Sequence, residues 1–155
     1  MDEIKNHLLD YLKNNRMMML STASETGPWA ATVFYVIDDL FNIYFMSAEN
    51  TKHVQDIEKN EKVAVAIAHT DQQFYSQKVG VQILGVAKKL DPQSEEFKDG
   101  MKRLLTVVWG YDDEKLLELE TVKSMTGTLI RFKPEVALFL DEHEYGLRTT
   151  KKVTF

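Results

Sequence analysis

The sequence predicts a mainly β fold (α+β), six or seven strands forming a small closed barrel with helices packed on it. Three observations carry this. Short runs of alternating apolar residues, punctuated by turn residues, fill most of Met17 to Ala87. Helical spacing is confined to the first residues, to a short segment after Ser47, and to the stretch from Asp91 to Ser124. The longest alternating run, Val79 to Ala87, holds Gly80 and Gly85, which suit bends, bulges or the close approach of another group and so a curved sheet.

Taken in order, Asp2 to Asn14 sets Ile4, Leu8, Leu9 and Leu12 on one stripe of a packing helix. Met17 to Ala23 is a strand, Glu25-Thr26-Gly27-Pro28 its turn, and Trp29 to Asp38 the returning arm of a hairpin. Asp38-Asp39 with Asn42 turn the chain into a third strand, Ile43 to Ser47. Asn50-Thr51 offers N-cap side chains to a short helix, Thr51 to Lys59, whose apolar face holds Val54 and Ile57 and which Asn60 ends. Val63 to Ile67 is dense enough in apolar residues for a buried strand, Asp71-Gln72-Gln73 is loop, and Val79 to Ala87 is the fifth strand. Asp91-Pro92 reads as a cap and first helical residue, with Phe97, Met101, Leu104 and Leu105 following at helical spacing. Trp109 and Tyr111 then fill the core or lie beside a ligand, and a further helix spans Asp113 to Ser124. Strands return at Thr128 to Phe132 and Val136 to Leu140, on either side of Lys133-Pro134, before a polar tail from Glu142 to Phe155. No repeat, low-complexity tract or linker divides the chain, so residues 1–155 are expected to form a single domain.

Composition narrows the chemistry. With 155 residues the chain is long enough to bury about two thirds of its unfolded surface. It has no cysteine, which excludes disulfides, thiolate zinc sites and a cysteine nucleophile and fits a cytoplasmic address. No apolar run approaches the roughly 18 residues of a membrane span, and Met1-Asp2-Glu3 lacks a signal-peptide pattern. A formal charge of -5 argues against nucleic acid or an anionic membrane surface as partner. His7, His53, His69 and His143 show no metal-site spacing, so no metal is assigned and the histidines are expected to be exposed or partly packed. Nucleophile elbow, P-loop and dinucleotide fingerprint are all absent from the sequence, and no catalytic residue is assigned.

The segment Ile43-Tyr44-Phe45-Met46-Ser47-Ala48-Glu49-Asn50-Thr51-Lys52 runs from a strand into a polar helix start. Free amides there carry partial positive charge, so a hydroxyl-rich entry plus one ammonium group suits a phosphate. The plainer alternative for Lys52 is a solvated lysine beside an ordinary cap.

Read as a unit, Met17 to Leu90 resembles the flavin-binding split-barrel superfamily that includes pyridoxamine 5'-phosphate oxidases and smaller general stress proteins. The order carries the resemblance: an N-terminal helix, the Glu25-Thr26-Gly27-Pro28 hairpin, the strand ending at Ser47, the Asn50-Thr51-Lys52 helix start, Val63 to Ile67 and the Gly85 strand. The resemblance implies a six- or seven-stranded antiparallel split β-barrel with packed helices, and FMN held in a groove between the two subunits of a homodimer. It places Lys52, Thr51 and Asn50 in the phosphate-binding turn and Ser47 near phosphate or ribityl oxygens. Thr32, Val33, Phe34 and Tyr35 fall on the strand along the flavin ring, Gln82 on a strand position that can face it, and Trp109 at the pocket wall. Departures are visible too. The arginine–lysine pair of the oxidases is here Thr51-Lys52, a glutamine early in the fifth strand is replaced by Gly80, and the chain continues to Phe155 past Arg131-Phe132-Lys133-Pro134. The resemblance therefore implies a flavin-dependent oxidoreductase of unknown substrate, or else a non-catalytic protein that stores or senses flavin or haem.

Overall fold

A computed structural model describes residues 2–112 and 127–155. The helix expected over 113–124 lies outside the described residues. The elements are α1 (Glu3–Lys13), β1 (Met17–Ser24), β2 (Gly27–Phe34), β3 (Val36–Ile37), β4 (Ile43–Ser47), α2 (Lys52–Lys59), β5 (Lys62–Ala68), β6 (Val79–Lys89), α3 (Glu95–Trp109), β7 (Thr128–Asp141), α4 (Glu142–Tyr145) and β8 (Thr150–Thr154). All the strand pairs are antiparallel, in the order β2-β1-β5-β6-β7-β4-β3, with β8 branching from β7. The α+β split-barrel expectation holds.

Curvature closes this sheet on itself through one residue. β2 and β3 lie at opposite ends of the strand order, yet only Tyr35 separates them in the chain. The arm expected as one strand thus pairs with β1 up to Phe34 and with β4 from Val36. Tyr35 is fully buried at that switch; its N–H donates to the Arg16 carbonyl and its hydroxyl to the Leu12 carbonyl at 2.7 Å. Burial pushes the phenol well above its ordinary range, which keeps it a neutral donor.

The barrel interior takes the inward residues of β1, β5 and β6, including Met18, Leu20, Val63, Val65, Ile67, Val81 and Ile83, with Leu8, Leu9 and Leu12 of α1 plugging one end. A second cluster, Val36, Tyr44, Leu90, Met101, Leu104, Leu105 and Leu129, seats α3 on the outside of β3 and β4.

Several boundaries differ from expectation. α3 is capped by Ser94, whose hydroxyl accepts from Phe97 N–H, whereas Asp91 starts a turn by accepting from Gln93 N–H. The two strands flanking Lys133-Pro134 are one strand. Its register against β6 shifts at Leu84/Gly85, leaving Glu135 as the extra bulged residue. At that crossing the Lys133 carbonyl lies 2.2 Å from where a Cβ on Gly85 would sit, so the close approach expected of Gly85 is real. The tail folds back as α4 and β8. Val153 enters the core and Phe155 meets Phe41 at 4.8 Å, so these apolar residues find partners within their own chain.

Candidate functional site

The barrel opens where β2 and β4 approach without pairing. Thr32 to Phe34 pair with β1 on one edge, Phe45 to Ser47 with β7 on one edge, and the remaining edges flank a cleft of about 470 Å³. A cleft of this size is in the range of small-molecule sites. Its lining comes from four places: Thr32, Val33 and Phe34 of β2; Met46, Ser47 and Ala48 at the end of β4; Thr51 and His53 at the start of α2; and Leu104, Val108 and Trp109 of α3. The walls are therefore largely apolar and aromatic, and Ser47, Thr51 and His53 gather together.

These three side chains form a small network. His53 Nε2 lies 2.7 Å from Ser47 Oγ and 3.4 Å from Thr51 Oγ1. Thr51 stands at the N-cap position of α2, but its hydroxyl donates to the Ala48 carbonyl at 2.7 Å instead of capping the helix. His53 is 8% exposed; burial lowers its pKa below the ordinary histidine value, with the Asp56 carboxylate opposing that shift. At neutral pH the ring is neutral.

Lys52 opens α2, one residue after the expected start at Thr51, and its ammonium turns along the helix. It donates to Asp56 at 2.5 Å and to Ser24 Oγ at 3.2 Å. Asp56 is buried and also accepts from Thr22 Oγ1 at 2.9 Å. The Lys52 hydrogen bond, followed by those from Thr22 and Ser24, outweighs desolvation and holds this carboxyl below its usual range. The cluster rivets α2 to β1.

Of the residues singled out from sequence, Thr32, Val33, Phe34, Ser47, Thr51 and Trp109 meet around the cleft. The others sit elsewhere: Tyr35 in the core beneath α1, Asn50 exposed in the turn before α2, Lys52 on Asp56, and Gln82 on the outer face of β6. Arg131 is a strand residue paired in register with Tyr44 and bound to Glu96 of α3 at 2.8 Å. His53, Met46, Ala48, Leu104 and Val108 complete the lining and were not anticipated. The signal for His53 was its spacing: it precedes Ile57 by one helical turn and so shares the buried face. No group of acidic and histidine side chains suited to a metal occurs among the described residues. No helix among them is long and apolar enough to cross a membrane.

The comparisons with known proteins agree on the fold. The Rv2991 protein of Mycobacterium tuberculosis superposes with a TM-score of 0.77 at 18% identity, covering 97% of this chain and 91% of that one. A structure described as a heme binding protein from Mycobacterium smegmatis gives a TM-score of 0.73 at 14% identity, covering 97% of this chain and 56% of that one. Two UPF0306 proteins of Campylobacter jejuni are 33% identical over 70 residues, 44% of this chain; the match spans about half of their own length, 49%. The profile of the pyridoxamine 5'-phosphate oxidase family matches residues 4–141, nearly the whole chain, and the protein belongs to that family.

Proposed function

We propose that the protein binds FMN in the cleft between β2 and β4 and acts as a flavin-dependent oxidoreductase. The observation that supports this most is the division of the cleft. Flat apolar contact from Val33, Phe34, Val108 and Trp109 suits a ring system, and hydroxyls gathered with an imidazole suit a phosphorylated tail. The unpaired edges of β2 and β4 supply backbone donors and acceptors for the ring's polar rim. When bound, FMN would carry electrons between a donor and an acceptor, and the chain's task would be to hold and orient it and to exclude water. Nothing in that task requires a nucleophile.

A second reading, a haem-binding or storage protein, is favoured by the M. smegmatis neighbour and by an imidazole in the cleft. The two readings separate in one spectrum. Reconstitution with FMN and with haemin, followed by absorption spectroscopy, should give a stoichiometric flavin complex that NADH or NADPH reduces. A stoichiometric haem complex with no retained flavin would overturn the oxidoreductase reading, and bound flavin without turnover would reduce it to a binder.

We further propose a homodimer, formed by the outer face of the sheet. Register aligns Thr32, Met19, Ala66, Gln82 and Leu138 in one row and Ala30, Ser21, Ala64, Leu84 and Val136 in the next, without a charged residue across these five strands; on β8 the first row continues to Lys152. Met19, Leu84 and Leu138 remain 53%, 46% and 44% exposed in the single chain. A charge-free, partly apolar strip across five strands is what a two-fold interface buries. Ala66→Arg should convert the dimer to monomer in light scattering; a wild-type monomer at micromolar concentration would refute the proposal.

A further inference from the structure

Lys52, the cation at the start of α2, is spent on Asp56 and Ser24, and among the described residues those lining the cleft include no Lys or Arg. β2, β4 and α3 contribute only uncharged side chains to it: Thr32, Val33, Phe34, Met46, Ser47, Leu104, Val108 and Trp109. Among the described lining residues, the one group that can become a cation near neutral pH is His53 of α2, already in contact with the hydroxyls of Ser47 and Thr51. We propose that His53 is the anion-recognition residue of the cleft, taking up a proton as a phosphomonoester docks and presenting it through Ser47. This rests on the cofactor reading above.

The chemistry follows from the hydrogen-bond directions. Thr51 spends its proton on the Ala48 carbonyl, so its lone pairs face the imidazole. A protonated ring donates from Nε2 to Ser47 Oγ, which frees the serine O–H to donate to a phosphate oxygen. Without a ligand, burial disfavours the charged ring; a phosphate beside it supplies the missing counter-charge and reverses that preference. Asp56 of the same helix is the charged neighbour that already biases the ring toward protonation, and its own charge is largely matched by Lys52. Phosphorylated ligands are then selected over their dephosphorylated forms, more strongly as pH falls.

Two measurements on the full chain test this. FMN affinity is titrated from about pH 8 to about pH 6 in wild type and His53→Gln, with riboflavin as the ligand that lacks the phosphate; one proton taken up contributes up to about tenfold per pH unit. The expected result is a steeper rise for wild type than for His53→Gln with FMN, the difference isolating the ring from the phosphate's own titration, and no such difference with riboflavin. Independently, NMR titration of the assigned His53 ring in wild type should show its pKa moving up when FMN is bound. Equal pH slopes in the two proteins, or a His53 pKa that FMN leaves in place, would overturn the inference while flavin binding itself stands. Failure of wild type to bind FMN at any pH would overturn the cofactor reading and this inference together.

Discussion

Two seams of the barrel meet the same geometric problem in opposite ways. Where β6 crosses β7 the strands stay paired from Val79/Asp141 to Lys89/Ile130, and the irregularity at Pro134 is absorbed by one bulged residue and by Gly85. Where β2 approaches β4 the pairing is abandoned after β3, and the unpaired edges become the walls of a cleft. The first seam gives up side-chain volume to keep its hydrogen bonds, and the second gives up hydrogen bonds to make room. The sealed seam keeps its backbone pairing, and the open one keeps the cleft.

Substitutions at the two seams should therefore separate stability from binding. The largest effect is expected for Gly85→Ala, which drives a methyl group into the Lys133 carbonyl and the Phe132 ring. Urea unfolding should register a loss of about 3 kcal/mol, the upper part of the overpacking range. Asp56→Ala, which strands Lys52, Thr22 and Ser24 beside the cleft, should cost about 2 kcal/mol in the same assay. A loss as large as that of Gly85→Ala would mean that the α2–β1 contact beside the cleft is held as tightly as the closed seam. Ser47→Ala reverses the order of consequences: about 1 kcal/mol or less in stability, and a roughly fivefold fall in FMN affinity by fluorescence titration.

The smallest effect is in pH dependence. The folded-state pKa of His53 is depressed, so the unfolded chain takes up the proton first. The stabilising contribution of the neutral ring is complete above about pH 6.5, the ordinary histidine value, and is lost as pH falls toward the depressed folded value. Wild type should lose more stability than His53→Gln across that interval. The depressed carboxyl of Asp56 acts in the same direction at lower pH: its contribution is complete above about pH 3.9 and is lost as pH falls through its folded value. Parallel curves for the two proteins near pH 6 would remove His53 from the buried network.

The strands were legible because side chains that alternate in and out leave a period of two in the sequence, and Met17–Ser24, Lys62–Ala68 and Val79–Lys89 all keep it. β8 was not, since in Thr-Lys-Lys-Val-Thr only Val153 points inward and the rest is solvated. The continuity of β7 was hidden by Pro134, which normally argues against a strand interior and is tolerated here beside a bulge. The start of α3 was misplaced because Asp91-Pro92 and Ser94-Glu95 both satisfy the local rules for a helix start, and only packing chooses between them. At the cleft, the strand-end residues were readable from order and spacing. The fate of Lys52 was not, because Asp56 one turn along and Ser24 on a distant strand compete for the same ammonium, and only the fold brings the latter into reach.

The most direct measurement is the ratio of riboflavin to FMN dissociation constants at neutral pH, by quenching of flavin fluorescence. A polar cluster that grips the phosphate predicts FMN binding at least about tenfold tighter, a difference of about 1.4 kcal/mol. Equal affinities, or no quenching by either flavin, would contradict a phosphate held by Ser47 and His53.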